Sequence, residues 1–226
     1  MAHSLGRRSF EAIAQFLIFL AALIFLPAWS LRYWQGWLFF AVFSASIILM
    51  TVYFLKADPG LVGRRLKAGP VDEKLKSQKR IQTFASILIV LLILVPALDH
   101  RFGWSSVPAI VSIAGDVLVV AGFAVTFFVF RANSYTSGTV EVAKDQTIVT
   151  TGPYGIVRHP MYSGALLMFL GMPLALGSWY GLLLVIPMAA VLVWRLQDEE
   201  RYLERELPGY PEYRQKVRHR LVPGVY

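Results

Sequence analysis

The sequence predicts an all-α, polytopic integral membrane protein with about six transmembrane helices, a C-terminal helical hairpin and a cytoplasmic helical tail. Of its 226 residues, 56% are hydrophobic and 16% are charged, whereas soluble domains carry roughly 25% charged residues. The mean hydropathy is +0.55, and the charges lie between long apolar runs. The absence of Cys excludes disulfides, thiolate metal sites and cysteine nucleophiles.

The apolar runs give the helices in order. A spanning helix needs roughly 20 residues, with a range of 17 to 25. The third and fifth runs are at the short end of that range, and the fifth contains Gly164, Gly171 and Pro173. The six predicted helices are 10–31, 35–55, 82–98, 107–130, 161–177 and 180–197.

The distribution of basic residues predicts the topology. In a six-helix arrangement, 20 of the 22 Lys and Arg residues lie on the side of both termini, and only Arg32 and Arg101 lie on the other. The positive-inside rule therefore places both termini and the two long loops in the cytoplasm. The net charge of +8 is then explained by topology and by contact with anionic lipids. We expect membrane lipids, and no nucleic acid, as partners; no signal points to a particular oligomeric state.

The densest group of polar side chains is the motif G-P-Y-G-I-V-R-H-P-M-Y-S-G at Gly152–Gly164, directly before the fifth apolar run. His159-Pro160 is expected to open a helix, because proline is tolerated in a first helical turn. Such an N-terminus has unpaired N–H groups and a partial positive charge, and so suits a carboxylate or a phosphate. Tyr154 and Tyr162 add hydroxyls and a stacking surface. The alternative is an interfacial anchor in which the arginine of the motif binds lipid phosphate.

A second polar cluster, R-L-Q-D-E-E, begins at Arg195. The last two helices are joined by a short turn, Gly177-Ser178, so the start of one should lie beside the end of the other. His159 and Tyr162 should therefore approach Arg195 and Glu199. The alternative is that Arg195 and Glu199 form only an i,i+4 ion pair on a solvated helix end, worth a few tenths of a kcal/mol.

Together these segments resemble a known family. The motif at 152–164, the hairpin, R-L-Q-D-E-E, and G-Y-P-E-Y-R-Q-K-V-R-H-R-L-V-P at 209–223 are similar to isoprenylcysteine carboxyl methyltransferases. More broadly, the chain resembles the membrane methyltransferase superfamily that includes phospholipid N-methyltransferases. The resemblance covers about residues 131–223. It divides the chain into 1–130, with four spans, and 131–226, a methyltransferase-like catalytic region.

The resemblance implies S-adenosylmethionine as methyl donor, bound on the cytoplasmic side, and a lipid-like acceptor that enters from the bilayer. Arg195 matches the position that holds the acceptor and serves catalysis. The positions that match cofactor contacts are Gln146, Thr147, Ile148, Val149, Tyr154, His159, Pro160, Met161, Tyr162 and Glu199.

The sequence does not identify the methyl acceptor. Carboxyl O-methylation of the isoprenylcysteine type is the first expectation, and its acceptor needs no general base. The short six-helix form is typical of prokaryotes and so of their inner membrane, and prokaryotes generally lack prenylated cysteines. The acceptor can therefore be another carboxylate, an amine or a thiol. The alternatives are a phospholipid N-methyltransferase, a membrane sterol-type reductase that uses NADPH, and a non-catalytic scaffold.

Two further features complete the sequence hypothesis. Asp116 is the only carboxylate inside a predicted span, and an ionisable residue there is a functional candidate by default. Ligand spacings such as H-E-x-x-H are absent from the sequence, so we predict no metal site.

Overall fold

The computed structural model describes residues 2–143 and 146–225 and has a helix at every predicted span. Among these residues, five helical segments are long and apolar enough to cross a membrane. The fold is therefore an all-α integral membrane bundle. The helices are α1 (Ala2–Ala28), α2 (Trp34–Ala57), α3 (Pro59–Arg65), α4 (Lys76–Phe102), α5 (Ala109–Ala132), α6 (Pro160–Ala175), α7 (Val185–Glu206) and α8 (Tyr210–Lys216).

The sequence located the helices better than it located their ends. α1 and α4 begin before the predicted boundaries, and α7 runs on to Glu206 through charged residues. Lys, Arg and Glu are good helix formers, so a helix continues where its apolar stretch has ended. The short helix α3 was not predicted, whereas α8 confirms the helical tail.

The fifth predicted span is the exception among the six. α6 has 16 residues, which at 1.5 Å per residue gives about 24 Å, less than the roughly 30 Å of a hydrocarbon core. Pro160 fixes its start, and Gly177, with φ of 71°, lies just past its end. The segment 147–151 forms neither a helix nor a strand.

α6 packs most extensively on α5, through glycines spaced seven apart on each helix. A Cβ added at Gly115 would lie 2.3 Å from the Ala175 nitrogen, and one added at Gly122 would lie 2.6 Å from the Gly164 oxygen. Small residues allow helix backbones to approach this closely in membranes. The predicted hairpin of α6 and α7 is also present, with Tyr162, Leu192 and Leu196 in one apolar cluster. Its connection is longer than predicted, because a 3₁₀ turn at Tyr180–Leu184 precedes α7.

The bundle has two ends, which we name by what lies there. The turn end carries the short connections 29–33, 103–108 and 176–179. The loop end carries the long connections 58–75 and 133–159 together with the tail after α7. At the loop end, Gln78 of α4 donates to the Arg195 carbonyl (3.2 Å) and to Asp198 Oδ2 (2.9 Å) of α7, which fixes the two helices beside each other.

Candidate functional site

A pocket at the loop end is lined by all eleven residues that the sequence analysis selected, together with others from the 133–141 loop and the tail. Those eleven come from the 146–149 segment, the 3₁₀ turn at Gly152–Gly155, the start of α6 and the second half of α7. They are Gln146, Thr147, Ile148, Val149, Tyr154, His159, Pro160, Met161, Tyr162, Arg195 and Glu199.

A chain of hydrogen bonds crosses the pocket wall from α7 to α6 and back. Arg195 Nε donates to the Tyr162 hydroxyl oxygen at 2.8 Å, and the Tyr162 hydroxyl donates to the Glu199 carboxylate through a short hydrogen bond. No ion pair joins Arg195 to Glu199 within the described ranges, so the alternative of a simple i,i+4 pair is wrong. The hydroxyl of Tyr162 instead fixes the positions of both charged groups.

His159 is held from both sides. Its ring stacks on Tyr162, with centroids 5.6 Å apart and planes 21° apart. Its Nε2 lies 3.2 Å from Glu200 Oε1, and its amide donates to the Arg220 carbonyl at 2.9 Å. These contacts position the imidazole beside the pocket and make it part of the protein's own framework.

Glu200 organises this framework from behind the pocket. It is 4% exposed, and its Oε1 accepts from Arg158 Nε at 2.7 Å, while its Oε2 accepts from Arg220 Nε at 3.1 Å. Arg158 Nη1 also donates to the carbonyls of Val217 and Arg218, both at 2.8 Å. Arg158 is therefore buried and binds the tail, which contradicts the alternative of a lipid-phosphate anchor. Arg158 lines the pocket, but Glu200 does not.

The N-terminus of α6 offers fewer free amides than predicted. Pro160 has no N–H, and the amides of Tyr162 and Ser163 donate to the His159 carbonyl at 3.0 and 3.2 Å. Among the described residues of this first turn, the Met161 amide is the one that makes no backbone hydrogen bond. Any anion bound here would thus meet a single backbone donor and the side chains around it.

Tyr154 connects three parts of the pocket. Its hydroxyl accepts from Asn133 Nδ2 at 3.2 Å, and its carbonyl accepts from the Tyr213 hydroxyl at 2.8 Å. Burial raises the pKa of the Tyr154 phenol to about 12, so the hydroxyl stays protonated at neutral pH. The ring of Tyr154 can therefore contribute a neutral hydrogen-bonding and stacking surface.

The 146–149 segment is fixed by the tail. Ile148 packs against the apolar cluster of Leu207, Tyr210, Tyr213 and Val217. Gln146 Oε1 accepts from the Ala143 amide at 2.9 Å, which folds the loop back on itself. The segment and the tail therefore line the pocket side by side.

Sequence reasoning missed two groups of pocket residues. The first is the polar loop after α5, and the second is the set of apolar and aromatic residues that follow Glu199. They are Asn133, Tyr135, Thr136, Ser137, Thr139, Val140 and Glu141, and then Leu203, Leu207, Tyr210 and Tyr213. The tyrosines at 210 and 213 were visible in the tail motif, but their place over the pocket follows from the fold of the tail.

Asp116 lies outside this pocket. It is 5% exposed, and neither of its carboxylate oxygens has a hydrogen-bond partner in the part of the chain that the structure describes. Its role was open in the sequence, and the geometry does not connect it with the loop end.

The chain is similar to known proteins over the region that contains most of the pocket residues. Residues 110–208 match the phospholipid methyltransferase family, and that range contains all eleven predicted residues. The Protein-S-isoprenylcysteine O-methyltransferase of Schizosaccharomyces pombe is 36% identical over 80 residues. The region of the family match starts in α5, the helix against which α6 packs.

Two other relatives match over similar lengths. The Delta(14)-sterol reductase TM7SF2 of Mus musculus is 33% identical over 91 residues, or 39% of this chain and 22% of that protein. The Cobalt-zinc-cadmium resistance protein CzcN of Cupriavidus metallidurans is 33% identical over 76 residues, or 33% of this chain and 35% of that protein. The match to the S. pombe enzyme covers 33% of this chain and 32% of that enzyme. The chain thus matches only about a fifth to a third of the length of these relatives.

Proposed function

We propose that the protein is an S-adenosylmethionine-dependent integral membrane methyltransferase that acts on a lipid-like acceptor, with carboxyl O-methylation of the isoprenylcysteine type as its reaction. The observation that carries the proposal is the chain from Arg195 through Tyr162 to Glu199. It places a cationic and an anionic group on the wall of the pocket that the 146–149 segment and His159 also line. The family match over 110–208 supports the same reaction class, with 131–226 as the catalytic region.

The donor set fits the cofactor. Glu199 suits its ammonium or ribose hydroxyls, and His159 with the Met161 amide suits its carboxylate. Tyr154 offers a face to adenine or, as a cation–π contact, to the sulfonium. When bound, the cofactor supplies a methyl group on a good leaving group.

The residues of the chain then contribute position rather than proton transfer. A carboxylate acceptor is already nucleophilic, so no side chain has to act as a base. Arg195 can bind such a carboxylate with two parallel hydrogen bonds, and Tyr162 fixes the orientation of the guanidinium. Holding donor and acceptor in line can lower a barrier by about 7–11 kcal/mol, and exclusion of water strengthens every charge interaction in the pocket.

The proposal includes an orientation. The loop end faces the cytoplasm together with both termini, as the distribution of basic residues predicts, and the protein resides in a prokaryotic inner membrane. The cofactor would then enter from the cytoplasm, while the acceptor and the surrounding lipids are supplied by the bilayer.

Calorimetry on the detergent-purified protein tests the proposal. We expect S-adenosylhomocysteine to bind, and expect His159→Ala and Glu199→Ala to lose that binding while remaining folded. The match to a sterol reductase makes NADPH the specific competitor. Binding of NADPH without S-adenosylhomocysteine would overturn the proposal in favour of a reductase, and binding of neither would favour a scaffold.

The role of Arg195 has its own test. Arg195→Ala should retain cofactor affinity and impair turnover of a prenylcysteine analogue. Arg201→Ala is the matched control, because Arg201 lies on the same helix, pairs with Asp198 at 3.0 Å and does not line the pocket. An equal loss of cofactor affinity in Arg195→Ala would assign the arginine to the cofactor. A methyltransfer screen with prenylcysteine, phosphatidylethanolamine and small thiols would then distinguish the acceptor classes.

A further inference from the structure

A second arginine, outside every motif of the sequence analysis, lies directly behind the pocket wall. Arg65 is the last residue of α3. Its Nη1 donates to the Ser137 carbonyl at 2.6 Å and lies 3.7 Å from the Met161 sulfur. Ser137 and Met161 both line the pocket, so the Arg65 guanidinium is adjacent to the space that they enclose.

Among the described arginines that are not exposed, Arg65 and Arg195 differ from the others. Neither guanidinium has a carboxylate oxygen within 4.0 Å among the residues described, whereas Arg158 has Glu200 at 2.7 Å. Burial lowers the pKa of the Arg65 guanidinium, and the positive charge of Arg195 lowers it further. Arg195 is buried and Arg65 is partly buried. A cation withdrawn from water without an anionic partner is costly, and two such cations near each other favour an anion between them.

Arg65 also contacts an apolar cluster of the bundle. Its Cζ is 5.1 Å from the centre of the Phe130 ring, and Phe130 belongs to a cluster against which Met161, Met50 and Phe127 pack. Met50 and Phe127 line a groove between α2 and α5. A ligand with an anionic group and an apolar chain would match the guanidinium, the apolar cluster and the groove.

We propose that Arg65, together with Arg195, binds the anionic group of the methyl acceptor, a carboxylate or a phosphodiester on an apolar chain. The inference rests on the proposed function and assigns the acceptor its charge. Arg65 Nη1 is committed to the loop carbonyl of Ser137, which leaves its other N–H groups for the ligand. Arg65 is then a residue that determines specificity, and the cofactor contacts remain with the 146–149 segment, His159 and Glu199.

The experiment measures acceptor binding without turnover. Purified protein saturated with S-adenosylhomocysteine is titrated with N-acetyl-S-farnesylcysteine, its neutral methyl ester, and phosphatidylethanolamine. Arg65→Gln should weaken binding of the acid by about tenfold or more, as expected for loss of a hydrogen bond to a charged group. Arg65→Lys should lose less, and binding of the methyl ester should not change.

The controls separate this inference from the proposed function. Lys67 lies two residues after Arg65 and has an exposed side chain. Lys67→Gln removes the same charge from that side chain and should have no effect on binding. Unchanged affinity of Arg65→Gln for S-adenosylhomocysteine shows that the variant is folded with an intact cofactor site.

The inference is overturned if Arg65→Gln binds the acid as tightly as the wild type, if it loses cofactor affinity in parallel, or if the wild type loaded with S-adenosylhomocysteine binds no anionic lipid. The use of S-adenosylmethionine is tested separately, by S-adenosylhomocysteine binding to the wild type, so failure of the Arg65 inference can be distinguished from failure of the methyltransferase proposal. A preference for phosphatidylethanolamine would identify the phosphodiester as the bound group.

Discussion

Both ends of the bundle contain charged side chains withdrawn from solvent, but the partners of those side chains differ. At the turn end, Asp99 is 1% exposed and accepts from the amide and the hydroxyl of Ser105, both at 2.6 Å, and from the Ser178 hydroxyl. Beside it, the Tyr33 hydroxyl donates to the Leu176 carbonyl at 2.5 Å. At the loop end, Arg65 and Arg195 have no carboxylate partner among the described residues and lie at a pocket. Asp99 with its hydroxyl and amide donors is thus a structural connection, whereas the two arginines without a carboxylate partner lie beside a space that a ligand can enter.

The largest expected effect is at Glu200, which connects the buried cations behind the pocket. Glu200→Ala leaves Arg158 without its anionic partner, and breaking a buried pair on one side costs about 3–5 kcal/mol. Thermal unfolding in detergent should show a large loss of stability, with loss of S-adenosylhomocysteine binding because His159 is held by the same carboxylate. Arg7→Ala, at an exposed pair with Glu11, is the control, and an equal loss there would refute the special role of the buried network.

The contact between α5 and α6 connects the two ends. In Gly115→Ala the new methyl would lie 2.3 Å from the Ala175 nitrogen and 2.8 Å from the Gly171 oxygen. These are backbone atoms that cannot rotate away, so overpacking should cost about 1–3 kcal/mol or more. Gly6→Ala, which meets nothing within 4 Å, should be neutral in the same unfolding assay. A stable Gly115→Ala protein would show that the helices can separate freely.

At the turn end, Asp99→Ala should cost stability and leave ligand binding intact. It leaves the Ser105 and Ser178 hydroxyls without their acceptor, at a cost of about 1–3 kcal/mol. S-adenosylhomocysteine affinity should match the wild type, because Asp99 and the pocket lie at opposite ends. A change in that affinity would mean that the two ends are coupled, and the comparison between them would fail.

The smallest effect on stability is expected at Tyr162, where the loss should appear in function. Tyr162→Phe keeps the ring that stacks on His159 and removes the hydroxyl between Arg195 and Glu199, at a net cost of about 0.5–1.5 kcal/mol. Acceptor turnover should fall by more than the change in stability suggests, since both charged groups lose their positions. Full turnover in Tyr162→Phe would show that Arg195 needs no such support.

The site was predictable from the sequence to the extent that its residues are local. The motif at 152–164 and R-L-Q-D-E-E were visible as polar clusters at the ends of apolar runs, and the short connection between α6 and α7 was enough to bring them together. The expectation of several free amides at the start of α6 was wrong, because the tail returns to the same place and His159 bonds within its own turn. The alternative of an ion pair between Arg195 and Glu199 does not hold, because the Tyr162 hydroxyl from another helix lies between them.

The sequence by itself determined the membrane class and the apolar helices, because hydropathy and charge act over short stretches of chain. The polar clusters around His159 and Arg195 were visible in the same way, whereas the full set of eleven pocket residues was implied by the family resemblance. Tertiary structure decided which charges are paired. Glu200 and Asp99 find their partners, while Arg65 comes to lie behind the pocket from a loop about 70 residues before it. Such choices depend on which side chains from distant segments share a low-dielectric space, where a missing partner is costly, and local sequence carries no record of that proximity.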